Sequence, residues 1–234
     1  MKYIECLTIV QLKRNIDRFK IIKSLLGMKN INTYIVEKLK INNASKHKPE
    51  YTLFPTSRGE LIKLIKEEMV KNGKNCDLNH IDVSKIVDMS QLFYDPYGYP
   101  QQDFNGDISQ WNVSNVTNMK FMFYRCKFNG DISQWNVSKV ENMAGMFSHS
   151  NFNDDISEWN VSNVTNMHSM FEYSDFNGDI SNWDISNVED MYGMFYNSKF
   201  NQDISNWVLN NHCNSIGMFK LCSINPDYKP KNRN

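Results

Sequence analysis

The sequence predicts an α/β repeat protein: a solenoid of about five to six 24-residue coils, each with a short strand and a short helix, behind an α-helical N-terminal segment. Two observations predict this fold. Phenylalanine recurs every 24 residues, at Phe104, Phe128, Phe152, Phe176 and Phe200. Large apolar residues are also confined to columns of the repeat, and a column of this kind indicates a continuous stacked core. The predicted core columns are Trp111, Trp135, Trp159, Trp183 and Trp207, with Met119, Met143, Met167 and Met191.

Each unit opens with Phe-Asn-x-Asp-Ile-Ser-x-Trp and then changes its apolar spacing. Ile108, Trp111 and Val113 have the L-x-x-L-x-L spacing of a leucine-rich repeat, which predicts a short strand with Trp111 and Val113 on one side. The pattern Ser138-x-x-Glu141 is typical of a helix N-terminal capping box, and apolar residues follow it at helical spacing. One coil is therefore predicted to run strand, turn, short helix, turn.

The ends of the chain depart from the repeat. Ahead of it, apolar periodicity predicts helices at about residues 12–26 and 33–41, and a third begins at the capping box of Ser57 and Glu60 and ends near Gly73. We expect this third helix to cover the open end of the first coil. The predicted organisation is a basic helical segment and linker (1–50), a capping-helix lead-in (51–76), the repeats (77–222) and a basic tail (223–234).

Charge divides the chain as well. Residues 1–76 hold sixteen Lys and Arg against seven Asp and Glu, whereas residues 77–222 hold seven against eighteen. An acidic repeat body argues against nucleic-acid binding on the repeat face. No apolar run is long enough for a membrane span. Glu5 interrupts the first apolar stretch, so no signal peptide is recognised and a cytoplasmic location is favoured.

The repeated unit closely resembles a known family. Its long motif, Phe-Asn-x-Asp-Ile-Ser-x-Trp followed by (Val/Ile)-Ser-x-Val-x-x-Met, is similar to the repeats of BspA-like leucine-rich-repeat surface proteins, specifically the mycoplasma-type domain of unknown function. The resemblance covers residues 77–222, and the lead-in from Phe54 to Leu61 matches too. It implies a solenoid and, loosely, surface adhesion or host interaction, with the cell surface as the alternative location. It implies no catalytic residues.

Nothing in the sequence predicts an enzyme, a metal site or a cofactor. The histidines share no column, and the five cysteines have no CxxC spacing. One acidic column allows two interpretations: each carboxylate accepts N–H bonds within its own turn, or the column binds a ladder of cations between coils. The turn is favoured, because each coil supplies one carboxylate without a second ligand. The column is Asp77, Asp107, Asp131, Asp155, Asp179 and Asp203.

The predicted strand also indicates a binding face. If Trp111 and Val113 point inward, the residues that alternate with them point outward and form a polar sheet. Such a face suits a protein or glycan partner, and the sequence predicts a non-catalytic interaction module. The alternative is a structural scaffold without a specific ligand. The predicted face comprises Gln110, Asn112, Gln134, Asn136, Glu158, Asn160, Asn182 and Asp184.

Overall fold

The computed structural model describes residues 50–94 and 103–231. The chain divides into two units, Met1–Pro49 and Glu50–Asn234, and every described residue belongs to the second. The helices predicted at residues 12–26 and 33–41 therefore lie outside the described residues. We number the coils from the repeat: coil 1 (77–94), coil 2 (104–127), coil 3 (128–151), coil 4 (152–175), coil 5 (176–199) and coil 6 (200–223).

Helix α1 (Arg58–Asn72) precedes the coils, as the sequence predicts. The Ser57 side chain accepts a hydrogen bond from the Glu60 N–H, and the Glu60 carboxylate accepts from both the N–H and the hydroxyl of Thr56. These bonds satisfy N–H groups that a helix start leaves without partners. The helix ends at Gly73, whose φ of 84° suits glycine. Its apolar face joins the core of the coils through Leu61, Ile65 and Met69.

The predicted coil of one strand and one helix is wrong. In residues 50–94 and 103–231, α1 is the single α-helix, and a 3-10 helix spans Pro226–Tyr228. Strand pairing in the same residues is limited to isolated parallel bridges. Five of these form one column through the coils, pairing Asp88 with Asn118, then Asn142, Asn166, Asp190 and Asn214 in turn. The fold is therefore neither a strand-and-helix solenoid nor a leucine-rich-repeat sheet.

Each coil is instead a succession of β-turns. In coil 3, the Trp135 N–H donates to the Ile132 carbonyl oxygen at 3.1 Å, and the other coils repeat this bond. An Asp or Asn stands before each such turn, and its side-chain oxygen accepts the N–H two residues later, as between Asp131 and Ser133 at 3.0 Å. These local bonds use the N–H groups that a strand would offer to its neighbours. The segment predicted as a strand therefore turns twice.

The segment predicted as a helix does not form one, because alternate N–H groups bond to the next coil and not within their own coil. Phe121 and Arg125 have φ of 56° and 55°, which an α-helix does not contain. Alternate N–H groups of this segment point to carbonyl oxygens of the next coil, and this row of bonds is called the ladder below. In coil 3 the ladder bonds are Met143 to Asn166 (2.9 Å), Gly145 to His168 (2.8 Å), Phe147 to Met170 (3.0 Å) and His149 to Glu172 (2.7 Å).

The core lies inside the stacked coils. The five tryptophans are each 4% exposed, and Met119, Met143, Met167 and Met191 are fully buried. Every indole N–H donates to a carbonyl oxygen of the preceding coil, as Trp159 does to Ile132 at 3.1 Å. Buried indoles need such a partner. Phenylalanine rings also stack from coil to coil, with centroids 5.5 Å apart between Phe123 and Phe147.

A second column of side-chain bonds runs outside the core. The side-chain oxygen of each motif asparagine accepts the backbone N–H of the equivalent asparagine in the next coil. The Asn129 oxygen accepts from Asn153 at 2.8 Å, and the Asn153 oxygen accepts from Asn177 at 2.8 Å. These bonds fix the register of neighbouring coils at 24 residues. The full asparagine column is Asn105, Asn129, Asn153, Asn177, Asn201 and Asn225.

Candidate functional site

The predicted binding residues lie at the surface, but on turns. Gln110 is half-buried, and the other seven members are exposed: Asn112, Gln134, Asn136, Glu158, Asn160, Asn182 and Asp184. In one column of this set, the side chains already accept hydrogen bonds from their own turns. The Asn136 side-chain oxygen accepts the Ser138 N–H at 3.2 Å, and Asp184 does the same for Ser186 at 3.1 Å. The flat polar sheet that the sequence suggests is therefore absent from the described coils.

The Asp column forms turns in the same way. Asp179 accepts the Ser181 N–H at 2.9 Å, and Asp203 accepts the Ser205 N–H at 2.9 Å. These bonds lower the pKa of the Asp203 carboxyl, with the backbone N–H of Ser205 as the main cause. Among the described residues, no group of three or more His, Cys, Asp and Glu side chains has the arrangement of a metal site. The carboxylates thus act as turn acceptors.

A different surface carries aromatic side chains, on the outer side of the ladder. Two columns of the coils have positive φ, and the floor of this surface is the one that holds Gly145 (61°), Ser169 (51°) and Gly193 (58°). Because a positive φ favours glycine, most of these positions carry little or no side chain. In coil 2 the same position is Phe121, and its ring lies over Gly145, 2.0 Å from where a Cβ would stand. The small residue at 145 therefore makes room for the ring.

Aromatic rings flank this floor on both sides along the chain. On one side, His168 and Tyr192 stack with centroids 5.2 Å apart. On the other, a continuous series of rings crosses five coils. We call these rings, together with Phe121, the aromatic face. The centroid distances of the series are 4.9 Å from Tyr94 to Tyr124, 5.7 Å from Tyr124 to His149, 4.6 Å from His149 to Tyr173 and 5.4 Å from Tyr173 to Tyr196.

A cleft of about 320 Å³ opens in the aromatic face across coils 1 to 4. One of its polar groups stands out. Ser148 is 1% exposed, and its hydroxyl has no hydrogen-bond partner among the described residues. A buried hydroxyl without a partner costs free energy, and such groups are rare in folded proteins. The residues lining the cleft are Gln91, Tyr94, Phe121, Tyr124, Ser148, His168, Ser169 and Glu172.

Cations approach the rings around the cleft. The Arg125 guanidinium lies 5.3 Å from the Tyr124 ring centroid, and the Lys120 ammonium lies 5.4 Å from that of Phe121. At these distances a cation is attracted to an aromatic face. Across the cleft, the His168 Nδ1 is 3.2 Å from a carboxylate oxygen of Asp190. The surroundings of the cleft therefore contain both signs of charge.

His149 makes the stability of the folded state depend on pH. Burial lowers the pKa of His149, and the charge of Arg125 lowers it further. The folded state therefore binds this proton more weakly than the unfolded chain, whose histidine pKa is near 6.5. The contribution of neutral His149 to stability is complete above that pH and is lost as the pH falls through 6.5 towards the folded pKa.

We predict that replacing His149 with asparagine weakens this dependence. Asparagine occupies the equivalent position of coil 5, where Asn197 has a φ of 50° against 56° for His149. Urea unfolding at about pH 7.5 and about pH 5.0 measures the effect, and the unmodified chain should lose more stability on acidification than His149→Asn. An equal loss in both proteins would show that other groups carry the pH dependence.

Sequence reasoning missed the aromatic face. Its columns do not repeat one residue type, since the Tyr124 position holds serine in coil 3 and glutamate in coil 4. A usable signal was present nonetheless. Gly145, Gly193 and Gly217 share one column inside the segment predicted as a helix, and glycine is unfavourable in a helix interior. A glycine column at that place indicates positive φ and an open floor.

Among the described cysteines, Cys126 is buried in the core. Burial raises the pKa of the Cys126 thiol to about 12, so the reactive thiolate is scarce at neutral pH. The equivalent Ser150 is also buried, and its hydroxyl donates to the Phe147 carbonyl oxygen at 2.9 Å. This column holds small side chains that pack under the turn. No helix of the described residues has the length and apolar character needed to cross a membrane.

Comparison with known proteins identifies a family for this chain. The model of the family described as "Mycoplasma protein of unknown function, DUF285" matches residues 65–173 and, a second time, residues 135–229. The overlapping matches reflect the repeat, which fits the same model in two registers. No curated protein and no solved structure matches the chain. The matched region spans well over half of the 234 residues, and the chain therefore belongs to the DUF285 family of mycoplasma proteins of unknown function.

Proposed function

We propose that this chain is a non-catalytic recognition module that binds a glycan in the cleft of the aromatic face. The observation that carries the proposal is the unpartnered hydroxyl of Ser148, buried in the wall of a cleft of about 320 Å³. A polar group of this kind gains a hydrogen bond when a ligand enters, so its desolvation cost is offset only in the complex. Ligand sites typically combine an apolar lining with a few such polar groups.

The chemistry of the lining favours a sugar. Phe121 and Tyr124 supply flat apolar surface, and the C–H face of a pyranose ring packs on such surface. Around them, Glu172, Gln91 and the serine hydroxyls supply hydrogen-bond donors and acceptors. Sugar hydroxyls need both kinds of partner. An extended peptide would find fewer free backbone groups here, because the ladder N–H groups already bond to the next coil.

The cleft is also held in place by its surroundings. Its residues come from four successive coils. The ladder joins all four, and the asparagine column joins coils 2 to 4 in register. A preformed site loses less conformational freedom on binding. Several neighbouring rings extend the same surface towards Tyr173 and Tyr196. The aromatic face therefore suits a chain of sugar units better than a single one.

Two substitutions test the proposal without introducing residues foreign to the fold. Phe121→Gly and Tyr124→Ser each install the residue that coil 3 has at the equivalent position, Gly145 and Ser148. We expect the double variant to bind glycans about tenfold or more weakly, a loss of about 1.4 kcal/mol or more, because the stacking surface is gone. Its unfolding free energy should change by less than about 1 kcal/mol. The probe is an array of neutral and acidic oligosaccharides, followed by calorimetry with the best ligand.

A matched control addresses the polar turns instead. Replacing Asn112, Asn136 and Asn160 with aspartate keeps their turns, because Asp184 fills the same position in coil 5. This triple variant should bind glycans as the unmodified chain does. Lost binding in the triple variant together with normal binding in the aromatic variant would place recognition on the polar turns. If no oligosaccharide binds the unmodified chain, the glycan proposal is wrong.

A further inference from the structure

The last coil leaves the ladder unfinished. In coils 2 to 5, four alternate N–H groups donate to the next coil; in coil 5, Phe195 donates to Met218 at 2.9 Å and Asn197 to Lys220 at 2.9 Å. Coil 6 has the same four positions, and it is the last coil among the described residues. Within residues 50–94 and 103–231, no acceptor bonds to the N–H groups of these positions, which are Ser215, Gly217, Phe219 and Leu221.

The apolar stack is left open at the same place. Phe219 stacks on Phe195 with centroids 5.7 Å apart, yet it is only half-buried, whereas Phe195 is fully buried. On either side of it, Ile216 is 72% and Leu221 is 64% exposed. Exposed side chains of this size beside unpaired N–H groups resemble the edge of a sheet that accepts another strand. We call these residues, with the four N–H groups, the C-terminal edge.

The C-terminal edge borders a positively charged cleft. Its volume is about 380 Å³, and its lining contains two lysines and no carboxylate. The Lys229 ammonium lies 5.5 Å from the centroid of the Phe219 ring. The four N–H groups add their positive ends to the same surface. The residues lining the cleft are Leu209, Ser215, Gly217, Met218, Phe219, Lys220, Lys229 and Pro230.

The opposite end of the stack is different. Helix α1 packs on it through Leu61, Ile65 and Met69, and the Arg58 side chain donates to the Ser90 carbonyl oxygen, the position that accepts a ladder bond in later coils. A second copy of the chain could not place its own first coil against the C-terminal edge while α1 occupies that end. Two C-terminal edges facing one another would bring donors to donors. The occupant of the edge must therefore supply carbonyl oxygens from another source.

We propose that the C-terminal edge binds an acidic segment of a partner protein, which adds to the ladder as the next coil would. Carbonyl oxygens at every second residue of the segment accept the four N–H groups. An apolar side chain covers Phe219, and acidic side chains pair with Lys220 and Lys229. This site is separate from the glycan cleft, so the two proposals stand or fall independently.

A synthetic peptide with the sequence of residues 187–198 is the direct probe. It is acidic, and it contains the carbonyl groups that accept the ladder bonds of coil 4 together with a ring equivalent to Phe219. We expect the fluorescein-labelled peptide to bind the full chain, as measured by anisotropy. The same peptide with Phe195→Ala should bind about tenfold more weakly. Failure of the unmodified peptide to bind would overturn the proposal.

Variants of the chain locate the binding. Ser215→Pro removes one ladder N–H, and the double variant Lys220→Glu with Lys229→Glu reverses the charge; each should weaken peptide binding about tenfold. Lys85→Glu, an exposed lysine on coil 1, is the matched control and should bind normally. Unchanged binding in both edge variants would place the peptide elsewhere and overturn the proposal. So would self-association in light scattering that Leu221→Lys abolishes, because a second copy would then be the occupant.

Discussion

Replacing Trp159 with alanine is expected to lower the free energy of unfolding by about 3–5 kcal/mol. The indole is 4% exposed and lies in the centre of the tryptophan column, with coils on both sides. Its removal leaves a cavity that the neighbouring rings, locked in register by the ladder, fill poorly. It also removes one of the two N–H donors to the Ile132 carbonyl oxygen, which keeps only its bond from the Trp135 N–H. Urea unfolding followed by the fluorescence of the remaining tryptophans measures the loss.

Trp159→Phe separates the two parts of this effect. Phenylalanine keeps much of the buried ring surface but cannot donate to Ile132, so we expect a smaller loss of about 1–3 kcal/mol. Trp207→Ala is a second comparison, because this residue lies in the last complete coil and has a coil on one side only. A loss below about 1 kcal/mol in Trp159→Ala would contradict the stacked core that we describe.

Replacing Gly106 with alanine is expected to cost about 3 kcal/mol. A Cβ at this position would stand 2.0 Å from the Cys76 carbonyl oxygen, and this atom belongs to the backbone. A flexible side chain could move aside, but the Cys76 carbonyl oxygen also accepts the Asp107 N–H at 3.1 Å. The first two coils must therefore separate locally. Thermal unfolding of the variant and of the unmodified chain measures the change.

Gly178→Ala is the matched control for this prediction. It lies in the same column, but the nearest backbone atom to its Cβ, the Asp154 oxygen, is 3.7 Å away. The column already tolerates larger residues, because Asp154 and Gln202 occupy it in coils 4 and 6. We expect Gly178→Ala to cost less than about 1 kcal/mol, since only the Phe176 ring must shift. Equal losses in the two variants would show that close approach of coil 1 is not the cause.

The repeat could be predicted from the sequence because burial depends on spacing alone. Columns 24 residues apart indicate which side chains stack, whatever the backbone does between them. The bounds of α1 were also accessible, because Ser57 and Glu60 act locally and Gly73 ends the helix by its own φ. Capping and chain reversal of this kind need no information from distant residues.

The conformation within a coil could not be predicted in the same way. Val116, Met119 and Met122 are three residues apart, a spacing that fits both a helix face and successive β-turns. The choice is made by where the N–H groups bond. Ser138 and Glu141 match a capping box in sequence, but the Glu141 N–H donates to Thr117 of the neighbouring coil at 2.9 Å. Long-range pairing overrides the local signal.

The candidate site was hidden for a related reason. Tyr124, Ser148 and Glu172 come together only because one ladder position presents a different side chain in each coil. A consensus of the repeat has no preferred residue at such positions. One sequence does not separate useful variation at such positions from neutral variation. The structure adds that these three varying residues line one cleft.

The asparagine column bears on how this molecule tolerates changes in length. Every asparagine in it meets an identical neighbour, so the interface between any two adjoining coils is nearly interchangeable with the next. Excision of residues 152–175 would bring Asn129 against Asn177 with the same partner atoms that each has now. Tandem duplication of one unit would extend the stack by the same rule. Gain or loss of whole 24-residue modules is therefore a route by which such genes can diversify while every junction stays intact.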